Sequence, residues 1–187
     1  KRLICDSPQD VTVSINKKKH ISFASNDYLG LANNLDIKKA FKKAIEKYGV
    51  GSGSSPLISG YSLPHKKLEK DIASYLGFES ALVTNSGYLS NVGLINALSQ
   101  RNTVVFQDRE NHNSIIESSR LASTKLVRYK HLSVTDLKKK LTQHASHKHK
   151  IIFTDSVFSM TGEISPLKEI SDIKKSNEYE YLFWGEI

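Results

Sequence analysis

Between Asn34 and Gly49 the apolar residues fall at helical spacing. Ile37, Ala40, Phe41, Ala44, Ile45 and Tyr48 share one face, Asn34 is placed to cap the start, and Gly49 stops the run. Gly49–Ser62 is rich in glycine and serine and reads as a loop, and Pro64–Leu76 is predicted to form a second helix that ends at Gly77. From there the pattern alternates. Short β-favouring runs at Ala81–Thr84, Thr103–Phe106, Lys125–Tyr129 and Lys150–Thr154 are separated by helical patterns at Tyr88–Leu98, Ser114–Leu121 and Leu137–Gln143. Ser133 and Asp136 have the spacing of a capping box, and Ser165-Pro166 opens a last helix that runs to about Lys175. Strand–helix alternation of this kind implies an α/β fold, a mainly parallel sheet with helices on both faces. It also suggests a small N-terminal segment, 1–33, ahead of one larger domain, 34–187. There is no internal repeat and no low-complexity linker.

Composition changes this picture little. At 187 residues, 39% hydrophobic and 25% charged, the chain has the make-up of an ordinary globular protein. The net charge of +8 raises the question of a nucleic-acid partner. The lysines are dispersed, however, and the densest runs (Lys17–Lys19, Lys138–Lys140 and His147–Lys150) have no aromatic residues interleaved for base stacking. Solvated turns and helix faces are therefore favoured over a nucleic-acid patch, and such a surface would also attract an anionic substrate such as an acyl-coenzyme A. The single cysteine, Cys5, rules out an internal disulfide and a cysteine zinc cluster and fits a reducing cytosol. No apolar run is long enough to span a bilayer and no signal-peptide core is visible, so a soluble, cytoplasmic protein without a metal or a membrane partner is expected.

In a parallel sheet, ligands bind beyond the carboxyl ends of the strands. After the first predicted strand, Thr84-Asn85-Ser86-Gly87-Tyr88 opens into a helix, where backbone N–H groups can approach an anion; such turns are also common as plain structure. After the second, Asp108-Arg109-Glu110-Asn111-His112 places a histidine that either stacks on an aromatic cofactor and exchanges protons or simply faces water. After the fourth, Val157-Phe158-Ser159-Met160-Thr161-Gly162 offers a hydroxyl, Ser159, in a segment that turn chemistry alone would also explain.

Taken together and in order, these stretches resemble the α-oxoamine synthases, a family of fold-type I pyridoxal-phosphate enzymes. The matching residues are Ser25-Asn26-Asp27-Tyr28-Leu29-Gly30-Leu31, Gly51-Ser52-Gly53-Ser54-Ser55, and Ile58-Ser59-Gly60-Tyr61-Ser62 with His65 and Glu69, then Thr84–Tyr88, Asp108–His112 and Val157–Gly162. The resemblance runs from about Ile21 to Ile173 and implies that 34–187 is part of the family's cofactor-binding large domain. It implies pyridoxal 5'-phosphate as cofactor, touched by Gly87 and Tyr88, with His112 stacking on its ring and facing substrate as the catalytic residue, and Ser159 hydrogen-bonded to its phenolic oxygen. Asn26 matches a position near the amino-acid carboxylate, and Arg2 lies close to an arginine that meets substrate. Asp155 stands where the family often has glutamate. The closest form within the family implies condensation of L-alanine with a pimeloyl thioester, a step of biotin synthesis, by a homodimer; sister enzymes use other substrates.

The family's next strand carries an aspartate for the pyridine nitrogen and, shortly after it, a histidine. Glu178–Ile187 contains neither, and the Schiff-base lysine and C-terminal domain would lie beyond Ile187. The 187-residue chain is therefore expected to be inactive alone, with the side chains of Phe183 and Trp184 exposed. A non-catalytic remnant is the rival reading.

Overall fold

The computed structural model describes residues 2–177 and 181–185, with side chains up to Ile173. The expected exposure of the Phe183 and Trp184 side chains thus lies outside the described residues. Contacts divide the chain into two compact units, Lys1–Ser80 and Ala81–Ile187, a division that falls within the stretch read above as one domain.

The first unit opens with an antiparallel hairpin of β1 (Thr12–Ile15) and β2 (Lys18–Ile21), which the sequence pattern did not announce. Its two-residue turn is Asn16-Lys17, both at positive φ (52° and 62°), the geometry that suits a tight hairpin. Helix α1 (Leu35–Tyr48) starts where expected, because the Asn34 side chain accepts from the N–H groups of Asp36 and Ile37. Gly49, at φ 79°, ends it. The expected Gly49–Ser62 loop contains one wide helical turn, Pro56–Gly60, closed by a hydrogen bond from Gly60 N–H to Ser55 O at 2.9 Å. A Cβ on Gly60 would sit 1.8 Å from the Ser54 carbonyl oxygen, so only glycine fits. Helix α2 (Leu63–Leu76) follows and ends on left-handed Gly77.

The second unit contains α3 (Gly87–Leu98), β3 (Val104–Asp108), α4 (Asn113–Leu121), β4 (Lys125–Tyr129), α5 (Val134–Gln143), β5 (Lys150–Asp155), α6 (Leu167–Asn177) and β6 (Tyr181–Gly185). Its four strands pair in parallel in the order β4-β3-β5-β6. Every residue of β3 and β5 is buried, as a strand covered on both faces requires. Alternation then sorts the side chains. Val104, Phe106 and Ile152 pack with Leu137 and Leu141 of α5 and Ile170 and Ile173 of α6. Val105, Ile151 and Phe153 pack on the opposite face with Ile95 of α3 and Ile115 of α4. Helices thus cover both faces, as the alternating pattern implied.

Two expectations need correction. Ala81–Thr84 is not a strand: no described strand pairs with it, and Leu82 is 84% exposed. β-favouring composition becomes a strand only where a neighbour supplies the ladder. Helix α5 begins at Val134, three residues before the predicted start. There the Ser133 hydroxyl accepts from Asp136 N–H, but the Asp136 carboxylate accepts from Lys130 N–H at 2.8 Å and leaves the capping box half made.

The apolar stripe of α1 is not covered. None of its residues is buried, and Phe41, Ile45 and Tyr48 border an open groove of about 720 Å³ lined also by Gly49–Gly53. In the same unit Phe23, Leu57, Ile58 and Tyr75 are each more than 80% exposed. Among the described residues, no helix is long and apolar enough to cross a membrane. Apolar exposure of this kind favours association. The 187-residue chain is expected to self-associate in sedimentation velocity as its concentration rises; a monomer at every concentration would contradict this.

Candidate functional site

The carboxyl ends of β3, β4 and β5 are stitched together by the loops that follow them. Asn111, buried after β3, donates from Nδ2 to the Phe153 carbonyl at 2.8 Å and accepts at Oδ1 from Asp155 N–H at 3.1 Å. The next residue, His112, donates its backbone N–H to Asp155 Oδ2 at 2.7 Å. The loop after β3 is therefore fastened to the end of β5 at three points.

His112 is also the N-cap of α4. Its Nδ1 accepts from Ser114 N–H at 3.3 Å and lies 2.7 Å from the Ser114 hydroxyl. Acceptance at Nδ1 leaves Nε2 as the protonated nitrogen of a neutral ring, and the residue is exposed. The Ser114 hydroxyl also receives the Asn91 amide at 2.8 Å, which ties α3 to α4. At the start of α3 the Ser86 hydroxyl accepts from Leu89 N–H, and a Cβ on Gly87 would meet open space. The N–H groups of Gly87 and Tyr88 carry the positive end of that helix. Tyr88 itself is 43% exposed.

Asp155 closes the floor. It is 2% exposed, and among the described residues its Oδ1 has no hydrogen-bond partner. Burial pushes its carboxyl above the usual range; the hydrogen bond from His112 N–H pulls the other way. Past β5, Phe158–Glu163 folds back on itself: Phe158 N–H donates to Glu163 O at 2.9 Å and Gly162 N–H to Phe158 O at 2.7 Å. Ser159 is exposed at the tip of that turn.

Of the residues singled out from sequence, Gly87 and Tyr88 open α3, His112 follows β3 and Ser159 follows β5, all in the second unit. Among the described residues no ring or hydrogen-bond contact joins Tyr88, His112 and Ser159 directly; Asn91 and Ser114 tie α3 to His112, and Asp155 ties His112 to the end of β5. Asn26 and Arg2 belong to the first unit, where Asn26 Oδ1 accepts from the Tyr28 hydroxyl at 3.4 Å. No cluster of three or more metal-ligating side chains occurs among the described residues.

The class I and II aminotransferase family model matches residues 18–183. The chain belongs to this family. The match reaches ten residues past the point where the motif resemblance ends, onto β6. 8-Amino-7-oxononanoate synthase of Methylococcus capsulatus is 38% identical over 93% of this chain and 45% of its own length. Serine palmitoyltransferase of S. paucimobilis, solved with a bound PLP–myriocin aldimine, superposes with a TM-score of 0.92 at 28% identity, over 97% of this chain and 46% of its own. 8-Amino-7-oxononanoate synthase of Francisella tularensis gives 0.68 at 28% identity, over 87% and 43%. These relatives place the chain in the α-oxoamine synthase branch, and it spans under half the length of the proteins it matches.

Sequence reasoning missed Asn111 and His131. Asn111 lay inside a recognised motif, but its bonds reach residues more than forty positions away. His131 follows β4 and carries no motif of its own. A pH test follows from Asp155. Because its folded pKa is raised, ionisation costs stability, so unfolding free energy should fall as pH rises from about 4 towards that raised value. Asp155→Asn keeps an acceptor for His112 N–H and should remove this fall in urea titrations across that range; a wild-type stability that instead rises relative to the variant would contradict the assignment.

Proposed function

We propose that the protein to which this chain belongs condenses L-alanine with a pimeloyl thioester, carried by coenzyme A or acyl-carrier protein, to give 8-amino-7-oxononanoate, the free thiol and CO2. We place this cytoplasmic step in biotin synthesis and take the working form to be a homodimer. The observation that carries the reading is family membership through 18–183 together with relatives of that name across nine-tenths of the chain. The groups present fit pyridoxal phosphate: an exposed ring held by one nitrogen, an open first turn of a helix, a free hydroxyl, and a buried carboxylate oxygen without a partner among the described residues.

In this reading the cofactor supplies an electron sink for a carbanion next to nitrogen. His112 presents its ring face to the pyridine, and the Ser114 bond at Nδ1 keeps that face from turning. The Nε2 proton is then directed at the substrate side. Gly87 and Tyr88 offer backbone N–H groups to the anionic end, which the absent Cβ of Gly87 leaves accessible. Ser159 donates to the phenolic oxygen. Asn26 and Arg2 meet the substrate carboxylate. The structural likeness to serine palmitoyltransferase supports a second reading, in which the same machinery takes another amino acid and acyl thioester. Competition among alanine, glycine and serine in the complete enzyme separates the two.

Lys168 is exposed on α6, past the loop that carries Ser159 rather than in it, so the 187-residue chain alone is expected to release no coenzyme A from pimeloyl-coenzyme A and alanine. Pyridoxal phosphate should still bind, followed by absorbance, and His112→Ala should weaken that binding about threefold to tenfold through loss of ring stacking. Unchanged affinity in the variant, or coenzyme A release above background, would contradict the reading.

A further inference from the structure

We propose that His131, as an imidazolium, clamps the tip of the loop after β5 to the end of β3, so that the position of Ser159 follows the pH. The clamp stands on geometry alone; only its meaning for the cofactor rests on the function proposed above.

His131 lies two residues past β4 and touches both neighbouring structures. Its Nδ1 is 2.8 Å from Asp108 Oδ1, at the end of β3, and its Nε2 is 3.0 Å from Glu163 Oε2, in the loop after β5. Its ring also meets Phe158 edge-on, with centroids 4.5 Å apart at 86°. Phe158 and Glu163 are the two residues whose backbones close the turn that carries Ser159, by the 2.9 Å bond between them. One side chain thus holds both ends of the tip.

Two carboxylate oxygens face the two ring nitrogens. A neutral imidazole has a single N–H and can donate to only one of them, so both contacts are hydrogen bonds only when the ring is protonated. The two carboxylates are not equivalent. Asp108 is 1% exposed and also accepts from Glu110 N–H at 2.9 Å and Leu132 N–H at 2.8 Å, whereas the Glu163 side chain is about half exposed. On deprotonation the remaining proton stays on Nδ1 beside the buried Asp108, and the bond to Glu163 is the one that is lost. The tip is then released on the Ser159 side.

The charged groups that face the ring are Asp108 from β3 and Glu163 from the loop after β5. Lys130 precedes it on its own loop, with its backbone N–H held by Asp136. Partial burial of His131 opposes its charge, but the hydrogen bonds to Asp108 and Glu163 outweigh burial and hold its pKa above the usual 6.5. The bond to His131 in turn lowers that of Glu163. With the folded pKa raised, the stabilisation is fully present below about 6.5 and is lost as pH rises through the raised value.

The test uses the full chain. Proton NMR of the His131 ring gives its midpoint, and hydrogen exchange of the 158–163 amides, corrected for the intrinsic pH dependence, reports the tip. Wild type is expected to titrate above the ordinary histidine range, and its tip to lose about tenfold in protection between about pH 6 and pH 9. Glu163→Gln alters an exposed residue and should leave the fold intact, lower the midpoint and reduce the loss to less than about twofold. His131→Gln should be equally flat. Tip protection that is the same at both pH values, or a pH dependence that Glu163→Gln leaves untouched, would overturn the clamp. Repeating the series with pyridoxal phosphate separates the two ideas: a working clamp with cofactor affinity indifferent to it would remove Ser159 from the cofactor site and leave the clamp standing.

Discussion

The parallel pairing of β3 with both β4 and β5 is the constraint on which the rest of the second unit depends. β3 is buried along its whole length and alternates its side chains between two helical layers. A strand in that position cannot slip by one residue, because the slip would exchange the two layers and take Gln107 from its hydrogen bonds to the Ile115 carbonyl and the Ser119 hydroxyl on α4. With the register fixed, the three loops at the carboxyl edge must leave the sheet side by side. Polar residues finish the edge: Asn111 satisfies backbone groups of β5 that the ladder has stopped serving, and Asp108 does the same for the loop after β4.

That arrangement explains why the side chains at this edge need little support of their own. His112 is positioned by its backbone, through Asp155, and by one ring nitrogen, through Ser114. Its ring face is left free. Among the described residues Ser159 has no anchor except the turn that bears it, and the turn is anchored by His131. A buried carboxyl with a raised pKa and an exposed, singly tethered imidazole a few bonds apart make an edge that can respond to an incoming ring and its charges.

Local signals carried much of the fold. Asn34 and Gly49 bound α1, Gly77 ends α2, and Lys125–Tyr129 is a strand over the predicted span, each because a cap, a left-handed glycine or a buried run acts within a few residues. What failed depended on distant partners or on unusual turn chemistry. Ala81–Thr84 has strand composition without a described neighbour to pair with, and β1 and β2 join through Asn16-Lys17 rather than an asparagine–glycine turn. The placement of His112 and Ser159 at that edge was legible because they sit in motifs after strands. His131 was not, because its role exists only once β3, β4 and β5 lie side by side and bring Asp108 and Glu163 to the same ring.

The central claim is that the loops opening α3, following β3 and following β5 make one cofactor surface. Titrating the chain with pyridoxal phosphate while recording amide shifts tests it residue by residue. The account predicts the largest shifts at Gly87, Tyr88, His112 and Ser159, with saturation at a common concentration. Shifts confined to the open groove beside α1, or different saturation points for the three loops, would contradict it.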